Sequence, residues 1–186
     1  KYIHEKPGGL DPRTVFYLAQ TYECLNDKEQ AIKFYIERSE MSGYNQETFM
    51  ALYRVGLLLE ATDWPRAADY YLKAYEKCPS RIESLVKLSQ HYNDAQKIKY
   101  MYAKQACVTP KPEYGLFLEN IMYDYNRWDQ LAIGAWYMGF YEEGYDALKK
   151  ALLAQPNKIH LAESKATYER KLGIVDIEKI SIKTNN

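Results

Sequence analysis

The chain has 186 residues, and its 25 Lys plus Arg against 25 Asp plus Glu give a formal net charge of zero. That balance excludes a general attraction to nucleic acid or to anionic membrane. No apolar run approaches the roughly 20 residues of a membrane span, and no signal-peptide pattern opens the chain. Cys24, Cys78 and Cys107 form no CxxC pair, which excludes a zinc ribbon or redox dithiol and reads as free thiols of a reducing, cytoplasmic setting.

In chain order, Asp11-Pro12 supplies a helix start. Val15, Leu18, Ala19 and Tyr22 follow at helical spacing, then a turn at Asn26-Asp27-Lys28 and a second helix through Ala31, Tyr35 and Ile36, stopped near Gly43. The pattern returns with Leu52, Val55, Gly56 and Leu59, a turn at Thr62-Asp63-Trp64-Pro65, and Ala67, Tyr71 and Ala74 before Pro79. A third pair carries Leu85, Leu88, Ser89 and Tyr92, a turn at Asn93-Asp94, then Tyr102, Ala103 and Ala106. A fourth carries Leu131, Ala132, Trp136 and Tyr137, a turn at Gly139-Phe140-Tyr141, then Leu148 and Ala151 before Pro156. Ala19, Gly56, Ser89 and Ala132 are the small residues expected where the two helices of a pair cross most closely, with Ala31 and Ala67 playing that part between hairpins.

Gly43 to Pro79 spans 36 positions and Pro79 to Pro112 spans 33, both close to a repeat of about 34. Pro112 to Pro156 spans 44, and the excess lies in Glu113 to Asn126, read as an extra helical turn or a loop packed across the array. The expected organisation is therefore a linker 1–11 and a helical-repeat domain 12–173, with a tail 174–186. Within the domain the pairs fall at about 12–45, 46–79, 80–112 and 127–156, with an insertion at 113–126 and a capping helix at 157–173 that covers the open end.

These landmarks resemble the tetratricopeptide family over roughly residues 12–156: aromatic, Leu, Gly or Ala and Tyr in the first helix, then Ala, aromatic, Ala and Pro in the second. The resemblance implies an all-α, right-handed superhelical solenoid of antiparallel helix pairs, about four pairs plus the C-terminal cap. More narrowly, Asp11 to Gln20 (DPRTVFYLAQ), Pro79-Ser80-Arg81-Ile82-Glu83 and Asp129 to Trp136 resemble the tail that follows a family 2 glycosyltransferase domain in bacterial and giant-virus proteins. Lys1 as the first residue fits an excised piece of such a longer chain. The segment carries no Asp-x-Asp motif and no alternating βα pattern to hold a nucleotide diphosphate.

No side-chain constellation points to catalysis. His91 and Asp94 share a helical face without a third ligand, and His4, His91 and His160 read as surface histidines. Glu142-Glu143 and the Asp124, Asp129 pair read as caps or solvated faces, and Gly8-Gly9 lacks the partners of a phosphate loop. Neither cofactor nor metal is implied.

In the resembled family the first helices of successive pairs line a concave face, and by register the groove candidates are Arg13, Phe16, Gln20, Tyr53, Arg54, Leu57, Lys87, Gln90, Trp136 and Tyr137, with Glu23, Met50, Val86 and Asn93 beside them. An aromatic strip flanked by Arg13, Arg54 and Lys87 suits an extended peptide or a sugar ring. Packing between helices accounts equally well for Phe16, Tyr53 and Trp136, since one residue of register turns a side chain by about 100°. A carboxylate clamp for a chaperone tail is disfavoured, because its positions carry Phe16, Gln20, Arg54, Glu83 and Lys87.

The expectation is a non-catalytic binding or scaffolding module. Its partner is a protein or peptide, or the glycosyltransferase domain of the same chain, with a glycan acceptor as a further candidate. A free-standing adaptor that binds an extended peptide and a tyrosine-rich carbohydrate-binding surface are the alternatives.

Overall fold

A computed structural model describes residues 9–174. His4, residues 1–8 of the expected linker and residues 175–186 of the expected tail lie outside the described residues. The helices are α1 (Pro12–Cys24), α2 (Lys28–Glu40), α3 (Asn45–Leu59), α4 (Trp64–Lys77), α5 (Glu83–His91), α6 (Gln96–Val108), α7 (Arg127–Met138), α8 (Tyr141–Ala154) and α9 (Ile159–Leu172). No strand occurs among the described residues.

Local chemistry sets the ends of these helices. Asp11, Asp27 and Asp63 cap α1, α2 and α4, each accepting from the backbone N–H three residues on at 3.1, 3.2 and 3.3 Å. Pro12 and Pro65 sit in first turns, where no intrahelical N–H is lost. Gly139 and Gly173 end α7 and α9 at φ 77 and φ 70, a left-handed conformation that glycine adopts without a Cβ clash.

Among the described residues, 9–88 and 109–119 belong to one compact unit, and 89–108 with 120–174 to another. In the first, α1 packs on α2, α2 on α3 and α3 on α4. Its core holds Val15, Phe16, Ala19, Ala31, Tyr35, Phe49, Tyr53, Val55, Ala67, Tyr71 and Ala74, all buried. Gly56 lets α3 meet α4, since a Cβ there would overlap the Tyr71 ring. The connection from α2 to α3 winds around buried Arg38, which donates to Glu47, to Thr48 Oγ1 and to the Met41 and Tyr44 carbonyls.

In the second unit, α6 packs on α7, α7 on α8 and α8 on α9, around a core of Ala103, Tyr125, Leu131, Ala132, Ala147, Leu148, Ala151, Leu161 and Tyr168. Ser89 Oγ donates to the Lys99 carbonyl at 3.0 Å, so a hydroxyl ties backbone where a larger side chain would hold the segments apart. Tyr168 passes over Gly144, where no side chain blocks it, and its hydroxyl donates to the Ala132 carbonyl at 2.5 Å.

The long interval between Pro112 and Pro156 resolves into two structures. Residues 109–119 are non-helical, and a helical stretch begins at Asn120 with a π-helical turn, Met122–Asn126, leading into α7. The turn buries Met122, Tyr123 and Tyr125.

Candidate functional site

In the first unit the α1 and α3 faces meet the chain's own segment 109–119. Arg81, which precedes α5, is fully buried beside Glu83, with Nη2 2.6 Å from Oε1 and Nε 3.0 Å from both carboxylate oxygens. Its guanidinium lies over the Phe49 ring, 4.5 Å from the centroid. Nη1 then donates outward, to Gln46 Oε1 at 2.7 Å and to the Leu116 carbonyl at 2.9 Å. Phe117 stacks on Phe16 with 6.4 Å between centroids and 17° between planes. Tyr53 is buried, and burial followed by the charge of Glu119 raises its pKa far above the usual tyrosine range.

In the second unit, α7 and α9 form the walls of an open cleft of about 300 Å³. Asp129, Ala132, Ile133, Trp136 and Tyr137 line one wall; His160, Glu163, Ser164, Thr167 and Tyr168 line the other; Leu148 of α8 forms the floor. Each wall is one helical stripe, stepping by three, one, three and one residues along its helix. Trp136 is half-buried, its ring edge-on to Tyr141 and Tyr168 with both centroids 5.1 Å away. Tyr137 stays 64% exposed at the mouth.

The polar end of the cleft is a connected network. Lys99 Nζ donates to Gln130 Oε1, and Gln130 Nε2 donates to Asp129 Oδ2 at 3.3 Å. Asp129 Oδ1 faces His160 Nε2 at 3.2 Å, and the Tyr125 hydroxyl lies 3.2 Å from the same nitrogen. Burial, with the Asp129 carboxylate adding to it, pushes Tyr125 up to about 12. Burial lowers Lys99, opposed by the same carboxylate. Aromatic rings, carboxylates and hydroxyls at one opening suit a cationic, hydrogen-bonding guest.

The groove candidates separate into these two places. Phe16 and Tyr53 are buried, and Phe16 lies under the chain's own Phe117. The three flanking cations each face a carboxylate: Arg13 faces Glu47 at 3.9 Å, Arg54 faces Glu23 at 3.3 Å and Lys87 faces Glu60 at 3.1 Å. Gln20, Leu57 and Gln90 are half-buried. Trp136 and Tyr137 come together in the cleft. Phe117, Gln46 and Arg81 at the first face, and His160, Glu163, Ser164 and Thr167 at the second, are not among the groove candidates expected from the sequence. The α7 stripe from Asp129 to Tyr137 was present as a helical period; the α9 wall, read as a cap, was not assigned a binding face.

The helix pairs, the close approach of α3 to α4 at Gly56 and the absence of strands among the described residues define an all-α helical-repeat fold. Solved structures of MamA share the fold. A MamA RS-1 double mutant matches at TM-score 0.63 and 14% identity, covering 88% of this chain and 85% of that one. MamA from Desulfovibrio magneticus RS-1 matches at 0.61 and 14%, with 87% and 85% covered. MamA MSR-1 matches at 0.56 and 17%, with 88% of each chain covered. At these identities the likeness concerns the fold alone. No family model and no curated protein matches the sequence. Among the described residues no helix is long and apolar enough to cross a membrane.

Proposed function

We propose that this chain is a non-catalytic binding module whose α7–α9 cleft takes an extended peptide through one of its lysine or arginine side chains. The observation that carries this reading is the pairing, at one opening, of the Trp136 and Tyr137 rings with the carboxylates of Asp129 and Glu163. A cation gains from an aromatic face and from a nearby carboxylate, and both interactions strengthen where water is partly excluded. The helical-repeat fold supports the scaffolding role, because stacked pairs present long faces rather than a closed reaction site. The motifs at Asp11–Gln20, Pro79–Glu83 and Asp129–Trp136 support a setting beside a family 2 glycosyltransferase domain. There the module positions the enzyme or holds a protein or glycan acceptor, in a reducing, cytoplasmic compartment.

Titration with a Gly-Arg repeat peptide, a Gly-Glu control and a neutral oligosaccharide tests the reading. Trp136 fluorescence reports it, in a chain carrying Trp64→Phe and Trp128→Phe. The arginine peptide alone is expected to change the signal, with a response that weakens as salt rises. Glu163→Gln should weaken binding about fivefold, the scale of one partly exposed charge pair. A response to the saccharide alone would move the assignment to carbohydrate binding, and silence toward all three would remove the cleft as a binding site.

A further inference from the structure

The segment 113–119 meets the first unit as a bound peptide meets a receptor. It is non-helical, it offers the Leu116 carbonyl to Arg81 at 2.9 Å, and it sets the next side chain, Phe117, flat on Phe16. Gly115 passes where a Cβ would lie 3.3 Å from Arg81 Nη1 and 3.2 Å from Leu118 Cδ1, so the backbone comes in close. Glu119 then brings its charge to the buried Tyr53 hydroxyl.

Two features mark this occupant as displaceable. Phe117 holds φ at 50, a left-handed conformation that non-glycine residues adopt only under constraint. It also remains 49% exposed, and Tyr114 beside it is 81% exposed. The receptor side, by contrast, is built without the segment. Glu83 and the Phe49 ring fix the Arg81 guanidinium, and Phe16 rests edge-on against Tyr35 at 5.8 Å. A face that keeps its geometry when its occupant leaves binds a replacement without paying to reorganise.

We infer that residues 113–119 are an intramolecular ligand of the first unit, displaced by a partner's extended segment of the same pattern: a backbone carbonyl for Arg81, an aromatic residue for Phe16, and an acidic residue two positions on. The inference concerns a different face from the α7–α9 cleft and stands or falls independently of it.

The test uses the whole chain and a labelled peptide of residues 112–120 (PEYGLFLEN). Phe117→Ala should raise the peptide's apparent affinity about tenfold over wild type, because the competing occupant holds the face less of the time. The same peptide with its phenylalanine changed to alanine should not bind either chain. Equal affinity for wild type and a helical, folded Phe117→Ala chain would overturn the inference. Should that variant fail to fold, hydrogen exchange on wild type decides. Saturating peptide should speed amide exchange within 113–119, and unchanged exchange would overturn the displacement. Dimerisation of wild type through 113–119 exchanged between copies would likewise overturn its assignment as an intramolecular ligand.

Discussion

Arg38 and Glu47 face each other across the connection from α2 to α3, with Nε and Nη2 both 2.9 Å from Oε2 and side chains 0% and 9% exposed. Removing one partner leaves the other charge buried, which costs about 3–5 kcal/mol, whereas replacing both with apolar residues of similar volume is often close to neutral. Arg38→Met should therefore lower stability far more than Arg38→Met with Glu47→Leu. Urea unfolding of the four chains of the cycle measures the coupling. Additive losses would show that the pair is not held as a unit.

Gly56→Ala sets two effects against each other. Alanine gains up to about 1 kcal/mol of helix propensity over glycine. Its Cβ would overlap the Tyr71 ring, and overpacking a tight crossing costs about 1–3 kcal/mol. The net expectation is a destabilised chain, measured by thermal unfolding, and the same substitution should cost less in a Tyr71→Val background, where the ring it overlaps is gone. A Gly56→Ala chain as stable as wild type would show that Tyr71 moves aside freely.

The tyrosines predict a steep alkaline limit. Burial raises Tyr35, Tyr53, Tyr71 and Tyr168 above the usual value of 10.0, and pushes Tyr100 and Tyr125 up to about 12. A raised pKa means that the neutral form is favoured in the folded state. Its contribution to stability is complete below pH 10 and is lost as pH rises through the folded values. The phenolate absorbance of the buried tyrosines should therefore appear together with the loss of helical circular dichroism as the pH passes from 10 to 12. Phenolate formation by the whole tyrosine set with helix content intact would contradict this.

The thiols should differ sharply in reactivity. Cys24 is exposed and Cys78 buried. Burial, only partly offset by Arg127, pushes Cys107 up to about 12, and its Sγ donates to the Arg127 carbonyl at 3.2 Å. Since the thiolate is the reactive form, a disulfide reagent near neutral pH should label Cys24 quickly and the other two only after denaturation. Mass spectrometry of the labelled peptides reads the order.

Much of the helical architecture was legible because its signals are local. Caps at Asp11, Asp27 and Asp63 lie within one turn of the N–H groups they bind, and the small residues Gly56 and Ser89 recur at one position of the repeat, so the pattern marks them even though Tyr71 and Lys99 are more distant in sequence. The first face was not legible in the same way. Phe117 meets Phe16 across about a hundred residues, and no periodic pattern in 113–119 records that contact. Phe16 and Tyr53 looked equally suited to groove and core because one residue of register decides between them, and packing turned both inward. Arg81 and Glu83 stood out as a motif, yet only the fold shows that their charges are buried against each other.

The bond from Tyr168 to the Ala132 carbonyl has a consequence for how the cleft can change over generations. The closure depends on a main-chain oxygen, which every residue supplies, and on Gly144, which contributes no side chain. Ile133, Tyr137 and Glu163 are not among its atoms. Substitutions at those positions therefore change the lining of the cleft while the fastening beneath them persists, so the character of the walls and the attachment of the end helix can drift separately.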